Sequence, residues 1–190
     1  KYLILYESNS VLISDYHKLL TIAESAAKNA AEQLLQNVES LSEIDDELNR
    51  DVKVKADQFA DEIIRKQLEE KTNFPVISEE VINSQKMIDG YQWIVDPLDG
   101  SLNFSKSIPM FCISIAFWRG LDPLIGVIYD FNRDEIFTGI IDGGAWLNGE
   151  PIAPSDVSIA SKAVLATGFP IENRIKIMKN VYEQLGNLYE

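Results

Sequence analysis

FCISIAFWRGLDPLIGVIYDFNRDEIFTGIIDGGAWLNG fills residues 111–149 and reads as four strands in a row. Runs rich in Ile, Val, Phe and Trp at 111–118, 124–129, 135–140 and 145–147 are separated by GLDP (120–123), NRD (132–134), DGG (142–144) and NG (148–149). Separators of this length and composition are turn signals, and Asn-Gly is a strong tight-turn dipeptide, so the strands are expected to form a hairpin-linked meander.

Upstream the period changes. Leu19, Leu20, Ala23, Ala26, Ala27, Ala30, Ala31, Leu34 and Leu35 recur at three and four residues, which predicts an amphipathic helix over 15–38 with Ser14 as its cap. The acid-rich stretch 39–49 offers little to bury and reads as a solvated connection. A second helix is predicted over 57–70, with Phe59, Ile63, Ile64 and Leu68 on one face and Asp57 and Asp61 near the end where the helix dipole favours anions. FPVISEE gives a short strand at 76–78 that delivers Glu79 and Glu80, and YQWIV gives another at 91–95 that delivers Asp96. A further strand is predicted at 163–167 and a last helix from about 173. Two helices followed by hairpin-linked strands predict an α+β fold, with two long helices packed on a largely antiparallel meander sheet, rather than a doubly wound parallel one.

The chain of 190 residues, 46% hydrophobic, is long enough to bury a substantial core. Its 17 basic and 30 acidic residues leave a net charge of −13, which opposes phosphate-backbone and anionic-membrane binding; cations and small ligands are the expected partners, with no nucleic acid and no membrane. A single cysteine, Cys112, within an apolar run excludes a disulfide framework or thiolate cluster and reads as a core filler. His17, the single histidine, has no acidic or thiol partner near it in sequence and reads as a solvated helix position, which argues against a His-based triad or zinc site. No stretch approaches the roughly eighteen apolar residues of a spanning helix, and KYLILY at 1–6 is too short for a signal-peptide core, so a cytoplasmic location is expected. Because the chain starts without Met and stops at Glu190 within a helical pattern, it is also expected to be a piece of a longer protein.

WIVDPLDGSLNF, residues 93–104, concentrates the chemistry. Pro97 pushes Asp96 into an extended conformation, Asp99-Gly100 is a turn pair, and Gly100-Ser101 can open a short helical turn with free N–H groups. Carboxylate oxygens suit hard cations such as magnesium, and N–H groups at a helix start suit phosphate. A turn role for Asp99 and a capping role for Asp96 account for these two residues alone. They do not account for Glu79 and Glu80 leaving another strand end, or for Asp57 at a helix start, since such carboxylates repel one another unless cations hold them.

This stretch closely resembles the central metal-binding signature of the inositol monophosphatase family. Supporting segments are VKAD (54–57), ISEE (77–80), GAWLNGEPI (144–152) and ATGFP (166–170), in family order and with family-like spacing from Asp15 to about Glu172. The resemblance implies magnesium-dependent hydrolysis of an inositol or sugar monophosphate and a homodimer. It implies that Glu79, Asp96 and the Leu98 carbonyl hold one magnesium, that Asp96 bridges to a second ion also bound by Asp99, and that Glu79 contributes to a third, weaker site. Asp57 and Ser101 would orient and help deprotonate the attacking water, the Gly100 and Ser101 N–H groups would hold phosphate, and Glu80 would stand behind the ligands. The fold implied is the N-terminal part of a layered α/β/α/β/α sugar-phosphatase architecture. Residues 15–172 would be the metal-binding domain, 173–190 the start of a connection toward an absent C-terminal part, and 1–14 remain unassigned.

One departure stands out: the Trp-Asp pair that carries a further metal ligand in the family is missing, so the second metal site is incomplete in these residues. Alternatives are the bisphosphate nucleotidase or fructose-bisphosphatase branch, although SLNF at 101–104 is more similar to the inositol and sugar monophosphatase branch, or a truncated, non-catalytic cation-binding module. A haloacid dehalogenase-like phosphatase is disfavoured, because two residues, Pro97 and Leu98, separate the aspartates where that motif has one.

Overall fold

A computed structural model describes residues 13–41, 44–46, 53–79, 89–164 and 181. The chain divides into two compact units, Lys1–Ile152 and Ala153–Glu190.

In the first unit, α1 (Ile13–Gln36) begins ahead of the predicted start, so Ser14 lies inside the helix rather than capping it. Its apolar positions from Leu19 to Leu34 are buried, whereas Leu35, one residue farther round the helix, is 52% exposed. The expected connection is partly structured. It contains most of a helical turn, α2 (Val38–Leu41), and β1 (Ile44–Asp46), which pairs antiparallel with β2 (Lys53–Val54) just beyond it. Helix α3 (Lys55–Lys71) buries the row Ala56, Ala60, Ile64 and Leu68, spaced at i, i+4, with Phe59 and Ile63 partly buried beside it. Helix α3 packs against α1, which buries Ala23, Ala26, Ala27, Ala30 and Ala31 in the same core. At the edge, Gln67 Nε2 donates to Ser25 Oγ at 2.9 Å and Asn29 Nδ2 donates to Gln67 Oε1 at 3.0 Å.

A seven-stranded sheet receives both helices. It runs in the order β3 (Val76–Ser78), β4 (Tyr91–Asp99), β5 (Cys112–Arg119), β6 (Asp122–Asp130), β7 (Glu135–Ile140), β8 (Gly144–Leu147) and β9 (Glu150–Ile152). From β4 onward every neighbour is antiparallel, and β3 lies parallel to β4 at one edge. The meander is therefore as expected, with β9 added after a two-residue turn in which Asn148 and Gly149 have φ of 51° and 83°. Strand β5 starts at Cys112, one residue later than predicted.

Register explains the burial. Trp93 and Val95 on β4, Ile113, Ile115 and Phe117 on β5, and Ile125 and Val127 on β6 fall on one face by the two-residue period and are all nearly inaccessible. Helix α1 covers β5, β6 and β7, and α3 covers β3 and β4. The opposite face carries small residues, Ser114, Ala116, Gly126 and Gly139, together with Ile128, which is 47% exposed.

At one end of the sheet Trp93 is tied down. Its backbone N–H donates to Pro75 O at 2.8 Å, and its Nε1 donates to the buried Thr72 Oγ1 at 3.0 Å, which itself donates to Leu68 O at 2.8 Å. The Phe117 ring packs against it, and the rings of Phe74 and Tyr91 pack on Phe117 in turn.

In the second unit, residues 153–158 have no regular structure and Ala160–Lys162 form a 3₁₀ turn. Residues 163 and 164 are not in a strand; 165–167 of the predicted strand lie outside the described residues, as does the predicted last helix except Val181, which is helical.

The pair Trp93–Thr72 is isolated from water, so Thr72→Val strands an indole N–H at about 1–3 kcal/mol. Urea unfolding is expected to show that loss, and the double variant Thr72→Val/Trp93→Phe is expected to show less than the sum of its parts. Strict additivity would rule the bond out as a stabilising contact.

Candidate functional site

The site begins with a register. Ser78 pairs with Val95 in the parallel β3–β4 ladder, so the next residues along the two strands, Glu79 and Asp96, come out side by side. Their side chains share a hydrogen bond. The position of β3 is fixed from behind by α3: Arg65 Nη1 donates to Val76 O at 2.9 Å while Nη2 bonds both carboxylate oxygens of Asp61 at 3.3 and 3.4 Å. Sequence reading placed Asp61 near the helix dipole and passed over Arg65. The i, i+4 spacing of an acid and an arginine was the available signal.

Strand β4 continues past Asp96 to Asp99 rather than ending at Val95, and its pairing with β5 is interrupted between Asp96 and Asp99. Pro97, which cannot donate to a ladder, sits in that interruption. Here the Leu98 backbone N–H turns toward the Asp96 carboxylate, and the Leu98 side chain is buried. Burial raises the Asp96 pKa first, and the negative charges of Glu79 and Asp99 add to it; the carboxyl is pushed up to about 7 despite the Leu98 bond. Three of the predicted carboxylates therefore lie within electrostatic reach of one another.

Gly100 follows with φ 84° and ψ 35°, in the left-handed region, and begins α4 (Ser101–Ser105). A Cβ there would stand 2.6 Å from Met110 O and 3.3 Å from the Phe111 Cα, so both the backbone conformation and the space require glycine. No side chain caps the N-terminus of α4, whose first turn closes with Phe104 N–H donating to Gly100 O at 3.0 Å. Ser101 is half-buried at this start.

Asp57 occupies the first turn of α3 and is buried. Glu80 lies outside the described residues. Cys112 is not the core filler expected: it is half-buried beside Asp99, with Sγ 3.9 Å from Oδ2. Burial, then Asp99, Asp96 and Asp130, push its thiol up to about 11, which makes it a poor nucleophile. His17 is exposed, as expected. Among the described residues no three acidic, histidine or cysteine side chains form a ready-made cation cage, and no helix is long and apolar enough to cross a membrane.

The statistical model of the inositol monophosphatase family matches residues 15–188. Inositol monophosphatase 3 of Solanum lycopersicum is 36% identical over 156 residues, covering 79% of this chain and 58% of that protein. Nus factor SuhB of Escherichia coli K12 is 33% identical over 162 residues, covering 82% of this chain and 60% of that protein. Among solved structures, extragenic suppressor protein SuhB from Bartonella henselae superimposes with a TM-score of 0.76 at 27% identity, over 89% of this chain and 67% of that one. The chain thus spans less than two thirds of the length of these curated relatives.

The charge crowding has a measurable sign. Between the ordinary value of 3.8 and about 7, folded Asp96 keeps a proton that the unfolded chain has released, so this group's contribution to stability falls as pH rises through that window. In metal-free protein, Asp96→Asn is expected to flatten the decline in urea-unfolding free energy over the same range. An unchanged slope would place the crowding elsewhere.

Proposed function

This chain belongs to the inositol monophosphatase family, and we propose that the intact protein hydrolyses a small phosphate monoester, an inositol or sugar monophosphate, with magnesium. The observation that carries the reading is the convergence of Glu79, Asp96 and Asp99, which leaves Asp96 protonated up to about pH 7 in the absence of a counter-charge. The donor set fits: all three are hard oxygen ligands, and magnesium characteristically takes one or two carboxylates and keeps water or substrate phosphate for the rest, so a closed three-residue cage is not required. When bound, magnesium supplies positive charge against the phosphate and a water of lowered pKa.

The chain's own residues have the remaining tasks. Glu79, Asp96 and the Leu98 carbonyl hold one ion; Asp96 and Asp99 hold a second; Glu79 serves a third, weaker site. Asp57 and the Ser101 hydroxyl orient the attacking water and help remove its proton. The Gly100 and Ser101 N–H groups receive phosphate oxygens, a role supported by the left-handed Gly100 and the uncapped start of α4. The Cys112 thiol, pushed up to about 11, is not needed as a nucleophile.

The test is phosphate release by the full-length protein from inositol monophosphates, sugar monophosphates, fructose bisphosphate and nucleotide 3′-phosphates, with and without magnesium. Asp99→Asn is expected to abolish magnesium-dependent turnover while leaving the unfolding midpoint in place; wild-type rates in that variant would sink the metal assignment. A second reading, an acidic cation-binding module, is favoured by the −13 charge. Calorimetric magnesium binding without hydrolysis of any ester in the panel would select it.

The proposal includes a homodimer. Leu102, Ile108 and Met110 are 46%, 45% and 67% exposed and lie close in sequence around α4, an apolar group that a second copy would cover. Light scattering of the full-length protein is expected to give twice the chain mass, and Met110→Glu to shift it toward the monomer; an unaffected dimer would locate the interface elsewhere.

A further inference from the structure

The turn after β6 is built on Asp130. Its Oδ1 accepts the backbone N–H groups of Asn132 at 3.1 Å and Arg133 at 3.3 Å, and its Oδ2 accepts Arg133 Nη1. Burial opposes ionisation of Asp130, but these bonds outweigh it and hold the carboxyl below its usual value. The Asn132 side chain is aimed by the same anchor, since its Nδ2 lies 3.3 Å from Asp130 Oδ1. It then donates, also at 3.3 Å, to the carbonyl of Phe111, which lies twenty-one positions earlier in sequence.

Phe111 is the backing of the Asp99-Gly100 turn. Its Cα stands 3.3 Å from where a Gly100 Cβ would be, and Met110 O stands closer still at 2.6 Å. The two residues behind Gly100 both have their carbonyls held by asparagine amides: Met110 O accepts Asn103 Nδ2 at 2.8 Å from within α4, and Phe111 O accepts Asn132 from the remote turn. The aromatic rings run along the same route, with Phe131 4.9 Å from Phe111 and Phe111 5.2 Å from Phe104 of α4. Packed backbone, a hydrogen bond and tilted or edge-to-face rings therefore form one continuous connection from the β6–β7 turn to Gly100.

From this connection we infer that Asn132 is a positioning residue for the Asp99-Gly100 turn, acting through the Phe111 carbonyl. The functional consequence rests on the reading of that turn as the phosphate-holding loop; the mechanical link does not. A wall that fixes Gly100 in its left-handed conformation keeps the Gly100 and Ser101 N–H groups pointing one way. Such a contribution is made to bound substrate and transition state alike, so its loss raises KM rather than lowering kcat.

The experiment uses the full-length protein with Asn132→Ala, which removes the donor without adding charge, and Asn132→Gln, which restores an amide with longer reach. Amide hydrogen exchange is the primary readout. Loss of one net hydrogen bond corresponds to roughly a two- to tenfold change in the opening equilibrium, so exchange at Phe104, whose N–H donates to Gly100 O, is expected to quicken by about fivefold in Asn132→Ala. Exchange at Ile113, Ile115 and Phe117 in the β5 core is expected to stay at the wild-type rate, and Asn132→Gln to recover most of the effect. KM for whichever ester of that panel the intact protein hydrolyses is expected to rise by about the same factor, with kcat within about twofold. Unchanged exchange at Phe104, or equal acceleration across β5, overturns the inference. If the intact protein hydrolyses no ester, the functional reading falls on its own, while the exchange comparison still decides the positioning role.

Discussion

Crowding of like charge at one edge of a parallel strand pair is the constraint from which the site follows. With Ser78 opposite Val95, Glu79 and Asp96 have no separate places to go, and the interruption of β4 brings Asp99 within range as well. Carboxylates at an ordinary turn would point apart into water. Here partial burial denies Asp96 that escape, so it keeps a proton well above the normal range unless positive charge arrives. The sheet provides the rigidity that makes this costly arrangement persist, because moving either acid means breaking a ladder.

The two ends of that sheet divide the work. At one end Trp93, Thr72, Phe74, Tyr91 and Phe117 lock β4 to the C-terminal end of α3 through a buried indole bond and packed rings. Arg65 then pins β3 to the same helix through Val76 O and Asp61. Strand position is thereby set from α3, and the acids at the strand exits inherit it. At the other end, Gly100 is held by sterics: a left-handed residue against Met110 O and the Phe111 Cα, with an asparagine donating to the carbonyl of each of these two residues. Charge is placed by register, and the turn beside it by close packing.

Much of this was legible in the chain. The hairpin signals at Gly120, Asp134, Asp142 and Asn148 all fall at turns with positive φ, because short connections between strands admit few backbone conformations. The helix period identified α1 and α3, and it failed locally at Leu35, where an apolar residue adjacent to the buried row points outward. Cys112 was misread for a related reason. Apolar neighbours in sequence suggested the core, yet alternation and its place at the strand's first residue put it beside Asp99. Asn132 carried no signal at all, since its partner is a main-chain carbonyl and any residue type could have supplied that.

The sequence by itself determined α1, α3 and the hairpin-linked strands β5 to β8, the need for glycine after Asp99, and the carboxylate inventory, because each depends on local backbone preference or on side-chain chemistry. Only the tertiary structure decided that β3 runs parallel to β4, that Glu79 therefore meets Asp96, that Asp96 carries the raised pKa, and that Asn132 reaches Phe111. Those outcomes depend on distance and burial between segments far apart in the chain. A register shift of one residue would have turned the same carboxylates to different faces without changing any local pattern.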